Sequence, residues 1–118
     1  MSNWINEVQD WNEDRDNLNY SPSLEYSMLD EELDEYMEAG IAGNIVDQAD
    51  ALADILVVAV GSLFKLCGGD ESKFNDIMLV VTAANNTKSS TKNSDGKITK
   101  PDNFVGPEAM IESILNAQ

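Results

Sequence analysis

The stretch DEELDEYMEAGIAGNIVDQADALADILVVAV, residues 30–60, decides the fold of this 118-residue chain. It predicts two helices joined by a short connection that contains glycine. Gly40 is expected to end the first helix near Ala39. The second helix is predicted over residues 45–66, and it is apolar around most of its circumference. Because the connection is short, the two helices are expected to be antiparallel neighbours.

Both helices carry carboxylates that this pairing would bring together. Glu32 and Glu35 are neighbours on the first helix, and Asp47, Asp50 and Asp54 form one stripe on the second. Across the turn, Glu35 is expected opposite Asp47, and Glu32 opposite Asp50. Buried like charges repel and lose hydration, so such a cluster lowers the stability of the protein unless it is compensated. Oxygen ligands of this kind suit Mg²⁺, with Mn²⁺ as an alternative; an ordinary solvated acidic face is the other interpretation.

The remaining chain predicts three further helices, over residues 3–18, 71–87 and 107–115. Together these patterns indicate an all-α protein, four-helix-bundle-like, with an extra short C-terminal helix and a polar lid loop. The length indicates a single domain over residues 1–118. A chain of this size buries a limited core, so the apolar helix over residues 45–66 is expected to need a second subunit to cover it.

A polar, locally basic segment follows the predicted fourth helix. Asn85 and Lys88 continue the inward stripe of that helix, whose apolar members are Phe74, Ile77, Met78 and Val81. Four of the seven cations of the chain lie close together in the sequence: Lys88, Lys92, Lys97 and Lys100. In a chain of net charge −15 this clustering indicates an anion-facing loop. The alternative is a frayed helix end at which Asn85 and Lys88 only cap the helix or are solvated.

Composition excludes several classes of function. The net charge of −15 disfavours binding to nucleic acid. The absence of histidine removes histidine-based catalysis and histidine-rich zinc sites. A lone cysteine, Cys67, excludes an intrachain disulfide and fits a reducing interior. With no signal-peptide pattern and no apolar run long enough to span a bilayer, the expected location is the cytoplasm, without membrane contact.

The spacing Glu32-x-x-Glu35, eleven residues, then Asp47-x-x-Asp50 resembles the ExxE, spacer, ExxD pattern of MazG-like all-α nucleoside triphosphate pyrophosphohydrolases. The polar segments 85–88 and 95–101 are similar to a further block in one branch of that family. Position 47 departs from the pattern, because it is Asp where the family usually has Glu. The shorter side chain puts the ligand role of Asp47 in doubt: either it reaches the metal only through water, or Asp54 shares the task.

The resemblance implies a Mg²⁺-dependent hydrolase that cleaves a ribo- or deoxyribonucleoside triphosphate to the monophosphate and pyrophosphate. It implies a homodimer or homotetramer. The implied metal ligands are Glu32, Glu35, Asp47 and Asp50. The implied catalytic residues are Glu31, Glu32 and Glu35, with Glu31 as the acceptor of the water proton. The implied substrate-binding residues are Asn85, Lys88, Lys97 and Lys100 at the phosphates and Trp11 at the base.

Two alternatives remain at this point. Trp4 and Trp11 also suit simple packing onto the helices, because both lie at helical spacing with Ile5 and Val8. A small, strongly acidic helical protein also suits a non-enzymatic binding module, such as a nucleic-acid mimic or the inhibitor of a partner protein. The concentration of acids on an apolar helix favours the enzyme, since a mimic needs its charges spread over its outer surface.

Overall fold

The structure is a computed structural model that describes residues 3–117. Its five helices are α1 (Trp4–Asp14), α2 (Pro22–Ala42), α3 (Ile45–Leu66), α4 (Glu71–Asn85) and α5 (Glu108–Asn116). Within the described residues there is no β-strand, and the one β-type pairing is an isolated antiparallel bridge between Lys92 and Ile98. The predicted all-α class with a short C-terminal helix is therefore confirmed.

The chain divides into two compact units. The first contains α1, α2 and α3 and extends to Glu71. The second begins at Ser72 and contains most of α4, the polar segment that follows it, and α5. The assignment of one domain to residues 1–118 stays a prediction.

The reversal between α2 and α3 lies three residues later than the sequence predicted. Gly40 does not end α2; the left-handed residue is Gly43, with φ 68°. The N–H groups of Gly43 and Asn44 donate to the carbonyls of Gly40 and Ala39, at 3.1 and 3.0 Å. Asn44 then caps α3, because its side chain accepts from the N–H of Asp47 at 3.0 Å. A left-handed residue is tolerated best as glycine, so the chain reverses at the glycine that a capping residue follows.

Small residues allow the helices of the first unit to approach closely. Ala39 of α2 and Ala51 of α3 are buried, and Phe64 is the most deeply buried large side chain described. α1 packs on α3 at Gly61, where an added Cβ would lie 3.2 Å from Nδ2 of Asn12. Glycine at position 61 therefore sets how closely α1 lies against α3.

A buried ion pair joins the start of α2 to the end of α3. The ammonium of Lys65 contacts Oε1 of Glu25, and both side chains are almost fully buried. Ser62 donates to the same oxygen at 3.0 Å, and the Ser21 N–H donates to Oε2 at 3.2 Å. Burial alone would raise the pKa of Glu25, but these hydrogen bonds and the Lys65 charge outweigh it and hold the pKa below its usual value. The pair is therefore ionised and fixes α2 against α3.

α3 is apolar, as expected, but the described chain leaves much of it uncovered. The exposed fractions of Ile45 and Leu56 are 78% and 54%. α2 adds an exposed apolar line at four-residue spacing, formed by Leu33, Met37 and Ile41. No single described helix is long and apolar enough to cross a membrane; α3 and α4 meet the length and composition criteria only as a broken pair.

The second unit has its own buried side chains and an ordered polar segment. Phe74 and Ile77 of α4 are buried, whereas Met78, predicted on the same inward stripe, is 43% exposed. After α4 the backbone folds back on itself through hydrogen bonds from Ser89 N to Thr99 O at 3.1 Å and from Asn93 N to Lys97 O at 2.8 Å. The predicted polar loop is therefore a hairpin-like segment.

The Glu25–Lys65 pair predicts a non-additive mutant cycle. Lys65→Met leaves a buried carboxylate unpaired and should lower the free energy of unfolding by about 3–5 kcal/mol. The double variant Glu25→Gln/Lys65→Met removes both charges and keeps an acceptor for Ser62, so it should recover most of that loss. Urea unfolding followed by circular dichroism measures all three proteins. Additive losses in the double variant would contradict a directly coupled pair.

Candidate active site

Three carboxylates from α2 and α3 converge in the first unit. Glu32, Glu35 and Asp54 each present an oxygen, and these oxygens all lie within 4.8 Å of one another. Glu32 and Asp54 are half-buried, whereas Glu35 is exposed. Three like charges at this separation repel, so the arrangement is unfavourable unless a proton or a cation offsets it.

Glu32 is at the centre of this electrostatic conflict. Its Oε2 is buried and has no hydrogen-bond partner among the described residues. Burial is the main cause that raises its pKa to about 6, and a hydrogen bond with Glu35 and the charges of Glu35, Asp54 and Glu31 add to it. Glu32 is therefore the carboxyl that gains most from a bound cation, because a cation would relieve both the repulsion and the lost hydration.

The donor set fits a hard divalent cation. All three side chains offer carboxylate oxygen, which Mg²⁺ and Mn²⁺ prefer over nitrogen or sulfur. The unpartnered buried oxygen of Glu32 supplies an acceptor that the protein itself does not satisfy. We therefore name Glu32, Glu35 and Asp54 as the residues that would hold the ion.

The predicted ligands Asp47 and Asp50 are not among the three converging carboxylates. They line a cavity of about 300 Å³ together with Glu35, Glu38 and Ala51. Oδ2 of Asp47 accepts from the side-chain amide of Asn44 at 2.8 Å, so this carboxylate takes part in the cap of α3. Glu35 borders both groups of acids, and the ligand roles of Asp47 and Asp50 stay a prediction.

Asp54 replaces Asp50 as the neighbour of Glu32, and the length of α2 explains the difference. The predicted turn placed Glu32 opposite Asp50, but α2 continues past Gly40, which moves the pairing by one helical turn. The i, i+4 spacing of Asp50 and Asp54 had already placed Asp54 on the acidic stripe. Predicting Asp54 as the neighbour of Glu32 would have required knowing which glycine adopts the left-handed conformation.

An aromatic cavity of about 490 Å³ lies in the same unit. Trp4 and Trp11 of α1 line it and are 46% and 51% exposed, whereas Lys65 in the wall is only 4% exposed. The guanidinium of Arg15 lies 4.3 Å from the centre of the Trp11 ring. The tryptophans therefore mark the open side of the cavity, and Lys65 and the equally buried Asn12 mark its buried side. The other lining residues are Glu7, Val8, Asn12, Asn17, Met28, Val57, Val58, Gly61 and Ser62.

The cavity and the carboxylates are adjacent on both helices. On α2, Met28 lines the cavity and Glu32 follows it by four residues. On α3, Asp54 precedes the cavity residue Val58 by four residues. Four residues correspond to about 6 Å along a helix axis. A ligand with an aromatic group in the cavity could therefore extend its other end to the carboxylates.

The predicted phosphate-binding residues lie around the hairpin-like segment of the second unit. Lys88 and Lys100 both approach the Phe104 ring, with their ammonium groups 5.9 and 5.2 Å from its centre. The backbone N–H of Lys97 donates to Oδ1 of Asn93 at 3.0 Å, and its side chain is exposed. Asn85 is the exposed last residue of α4. Contact between these residues and phosphate stays a prediction.

Comparison with known proteins supports part of the assignment. A family model described as PRA-PH, phosphoribosyl-ATP pyrophosphohydrolase, matches residues 9–66, slightly less than half of the chain. The matched residues include Glu32, Glu35 and Asp54. No curated protein matches the chain. The family match supports the resemblance to the MazG-like all-α pyrophosphohydrolases and indicates an enzyme that acts on a nucleotide phosphoanhydride.

The cluster predicts a stability response to metal that depends on Glu32. Mg²⁺ at about 100 times its Kd should raise the Tm of the wild-type protein by roughly 10 °C. Glu32→Gln should raise the Tm of the metal-free protein at neutral pH, because it removes one of the repelling charges, and should abolish the response to Mg²⁺. Differential scanning fluorimetry in Mg²⁺ and in EDTA measures both effects.

Asp34→Asn is the matched control, since Asp34 is an exposed acid of α2 outside the cluster. It should keep the full response to Mg²⁺. A Glu32→Gln protein that responds to Mg²⁺ as strongly as the wild type would contradict the metal site.

Proposed function

We propose that the protein is a Mg²⁺-dependent nucleoside triphosphate pyrophosphohydrolase that releases a nucleoside monophosphate and pyrophosphate. The observation that carries the proposal is the adjacency of the carboxylates Glu32, Glu35 and Asp54 to an aromatic cavity. A nucleotide has the same two parts: an aromatic base and a polyanion a few ångströms away. The family match supports the same class of reaction.

The aromatic cavity and the carboxylates would first position the nucleotide. The base would enter between Trp4 and Trp11, and the triphosphate would extend toward the carboxylates. A bound divalent ion would neutralise charge on the phosphate oxygens and activate the attacking water. Glu32, Glu35 and Asp54 would hold that ion, with Asp50 and Asp47 available in the cavity that Glu35 also lines.

The proton of the attacking water needs a carboxylate that the metal does not saturate. Glu31 is our candidate, because it is exposed beside the cluster and its charge contributes to the raised pKa of Glu32. The resemblance also assigns phosphate contacts to Lys88, Lys100, Lys97 and Asn85 of the second unit, where the ammonium groups of Lys88 and Lys100 lie beside the Phe104 ring.

A product assay tests the reaction and Glu35 together. With Mg²⁺, the wild-type protein should convert at least one common ribo- or deoxyribonucleoside triphosphate to monophosphate and pyrophosphate, and EDTA should stop it. Glu35→Gln should lower the rate about 100-fold or more, because charge stabilisation by a metal ion is worth several kcal/mol and each 1.4 kcal/mol is about tenfold. Asp34→Asn should leave the rate unchanged.

Other outcomes of this assay are equally informative. Diphosphate with orthophosphate would keep the metal site but reject the cleavage position. A Glu35→Gln protein that retains most of the turnover would reject the site. No turnover of any nucleotide, together with no Mg²⁺ effect on Tm, would favour the acidic binding module that the charge of −15 also suits.

We also propose that the protein acts as a homodimer or homotetramer. The stripe formed by Leu33, Met37 and Ile41 on α2 is exposed, and Leu52 and Leu56 add exposed apolar surface on α3. Uncovered apolar surface of this extent favours association, and a second copy would bury it. The partner is therefore expected to be another copy of this chain.

Met37→Glu places a charge on that stripe and should shift the protein from two or four times 12.9 kDa to the monomer mass. Leu79→Glu is the matched control, because Leu79 is 67% exposed but lies on α4, outside the stripe. Sedimentation velocity measures both masses. An unchanged mass for Met37→Glu, or a monomeric wild type, would reject this interface.

A further inference from the structure

We infer that Lys65 and Ser62 select nucleotides whose base presents a carbonyl group beside an N–H, namely uracil, thymine or guanine. The inference rests on the proposed function, since it specifies the substrate class of the same site. Lys65 and Ser62 are then specificity-determining residues at the buried end of the aromatic cavity.

Two polar side chains of α3 lie in the wall of the aromatic cavity. Lys65 and Ser62 lie one turn apart on α3, and both line the cavity. Glu25, which both side chains bind, is not among the lining residues. The carboxylate therefore lies behind the wall and holds the two polar groups in place from that side.

Ser62 and Lys65 differ in the hydrogen bonds that they can still form toward the cavity. Ser62 has a single hydroxyl hydrogen, and it is donated to Glu25 at 3.0 Å. Toward the cavity, Ser62 therefore offers an acceptor. Lys65 offers only donors, and an ammonium has three of them, so its contact with Glu25 does not exhaust its capacity. The buried end of the cavity thus presents a charged donor next to a neutral acceptor.

The tryptophans and the carboxylates determine the direction in which a base would enter the cavity. The exposed tryptophans mark the mouth, and the carboxylates that would face the triphosphate lie one helical turn from the cavity. In a pyrimidine nucleotide the substituent at position 4 is directly opposite the bond to the sugar, so it is the part that reaches deepest. At Lys65 that substituent is an oxygen acceptor in uracil and thymine but an amino donor in cytosine.

Ring atom N3, next to position 4, also favours uracil over cytosine. Uracil carries N3–H beside its oxygen O4, which matches the acceptor of Ser62. Cytosine carries an unprotonated N3 beside its amino group, so both of its contacts would be reversed. Guanine presents the same carbonyl and N–H pair as uracil, whereas adenine presents an amino group like cytosine. The family model is named for an ATP derivative, an adenine nucleotide, so this preference would separate the substrate of the present chain from that one.

Binding of nucleosides tests the inference without metal or phosphate. The chain has two tryptophans, and both line the cavity, so their fluorescence reports on its occupancy. In EDTA, uridine should quench this fluorescence with a Kd about tenfold lower than that of cytidine, the lower part of the discrimination expected for paired hydrogen bonds to a base edge. Equal affinities, tighter binding of cytidine, or no quenching by either nucleoside would overturn the inference.

The double variant Glu25→Gln/Lys65→Met separates selection from a purely structural ion pair. It leaves the net charge unchanged and should fold, whereas the single variant Lys65→Met leaves Glu25 unpaired and is destabilised. The double variant should bind uridine and cytidine within about twofold of each other, with the cytidine Kd close to that of the wild type. A preference for uridine that persists would assign the pair a structural role only.

Hydrolysis of UTP and CTP distinguishes the two levels of the proposal. Faster hydrolysis of UTP, measured as kcat/KM and lost in the double variant, would support both. Equal kcat/KM values for UTP and CTP with equal nucleoside affinities would overturn the base selection alone. Tighter binding of uridine with no hydrolysis of any nucleoside triphosphate would overturn the reaction and leave the base selection standing.

Discussion

The register between α2 and α3 is the constraint on which the rest of the structure depends. It is set at one end by the left-handed Gly43 with the Asn44 cap, and at the other end by the buried contact of Lys65 with Glu25. Between these two points, antiparallel packing places Glu32 beside Asp54 and Met28 at the level of Val58. One packing arrangement therefore produces both the carboxylate cluster and one wall of the aromatic cavity, a turn apart.

Two parts of the first unit are unfavourable for the isolated chain and suit a working enzyme. The carboxylates of Glu32, Glu35 and Asp54 repel one another, and a buried oxygen of Glu32 lacks a partner among the described residues. The apolar stripes of α2 and α3 are exposed to water. A bound cation would relieve the repulsion between the carboxylates, and a second copy of the chain would cover the apolar stripes. Catalysis and stability would therefore both depend on what the protein binds.

The sequence predicted the helices better than it predicted their register. The bounds of α3 agree with the predicted residues 45–66, because a long apolar run begins after a capping Asn44 and ends before glycines. Gly40 was expected to end α2, but the reversal falls at Gly43, the glycine that the capping Asn44 follows. The later reversal explains why Asp50 was expected opposite Glu32, while Asp54 was named only as an alternative to Asp47. The Glu25–Lys65 pair was also missed, since residues 40 positions apart give no local pattern.

The late reversal at Gly43 limits how this hairpin can change in length during evolution. A single residue inserted near the turn rotates the following side chains by about 100°, which would move the acids of one helix away from those of the other. The acids of the two helices face each other again, at the same height, only when each helix is longer by about one turn. That corresponds to roughly seven added residues in total across the reversal. Homologous hairpins are therefore expected to differ in length by steps of about a heptad, with metal site and base cavity kept or lost together.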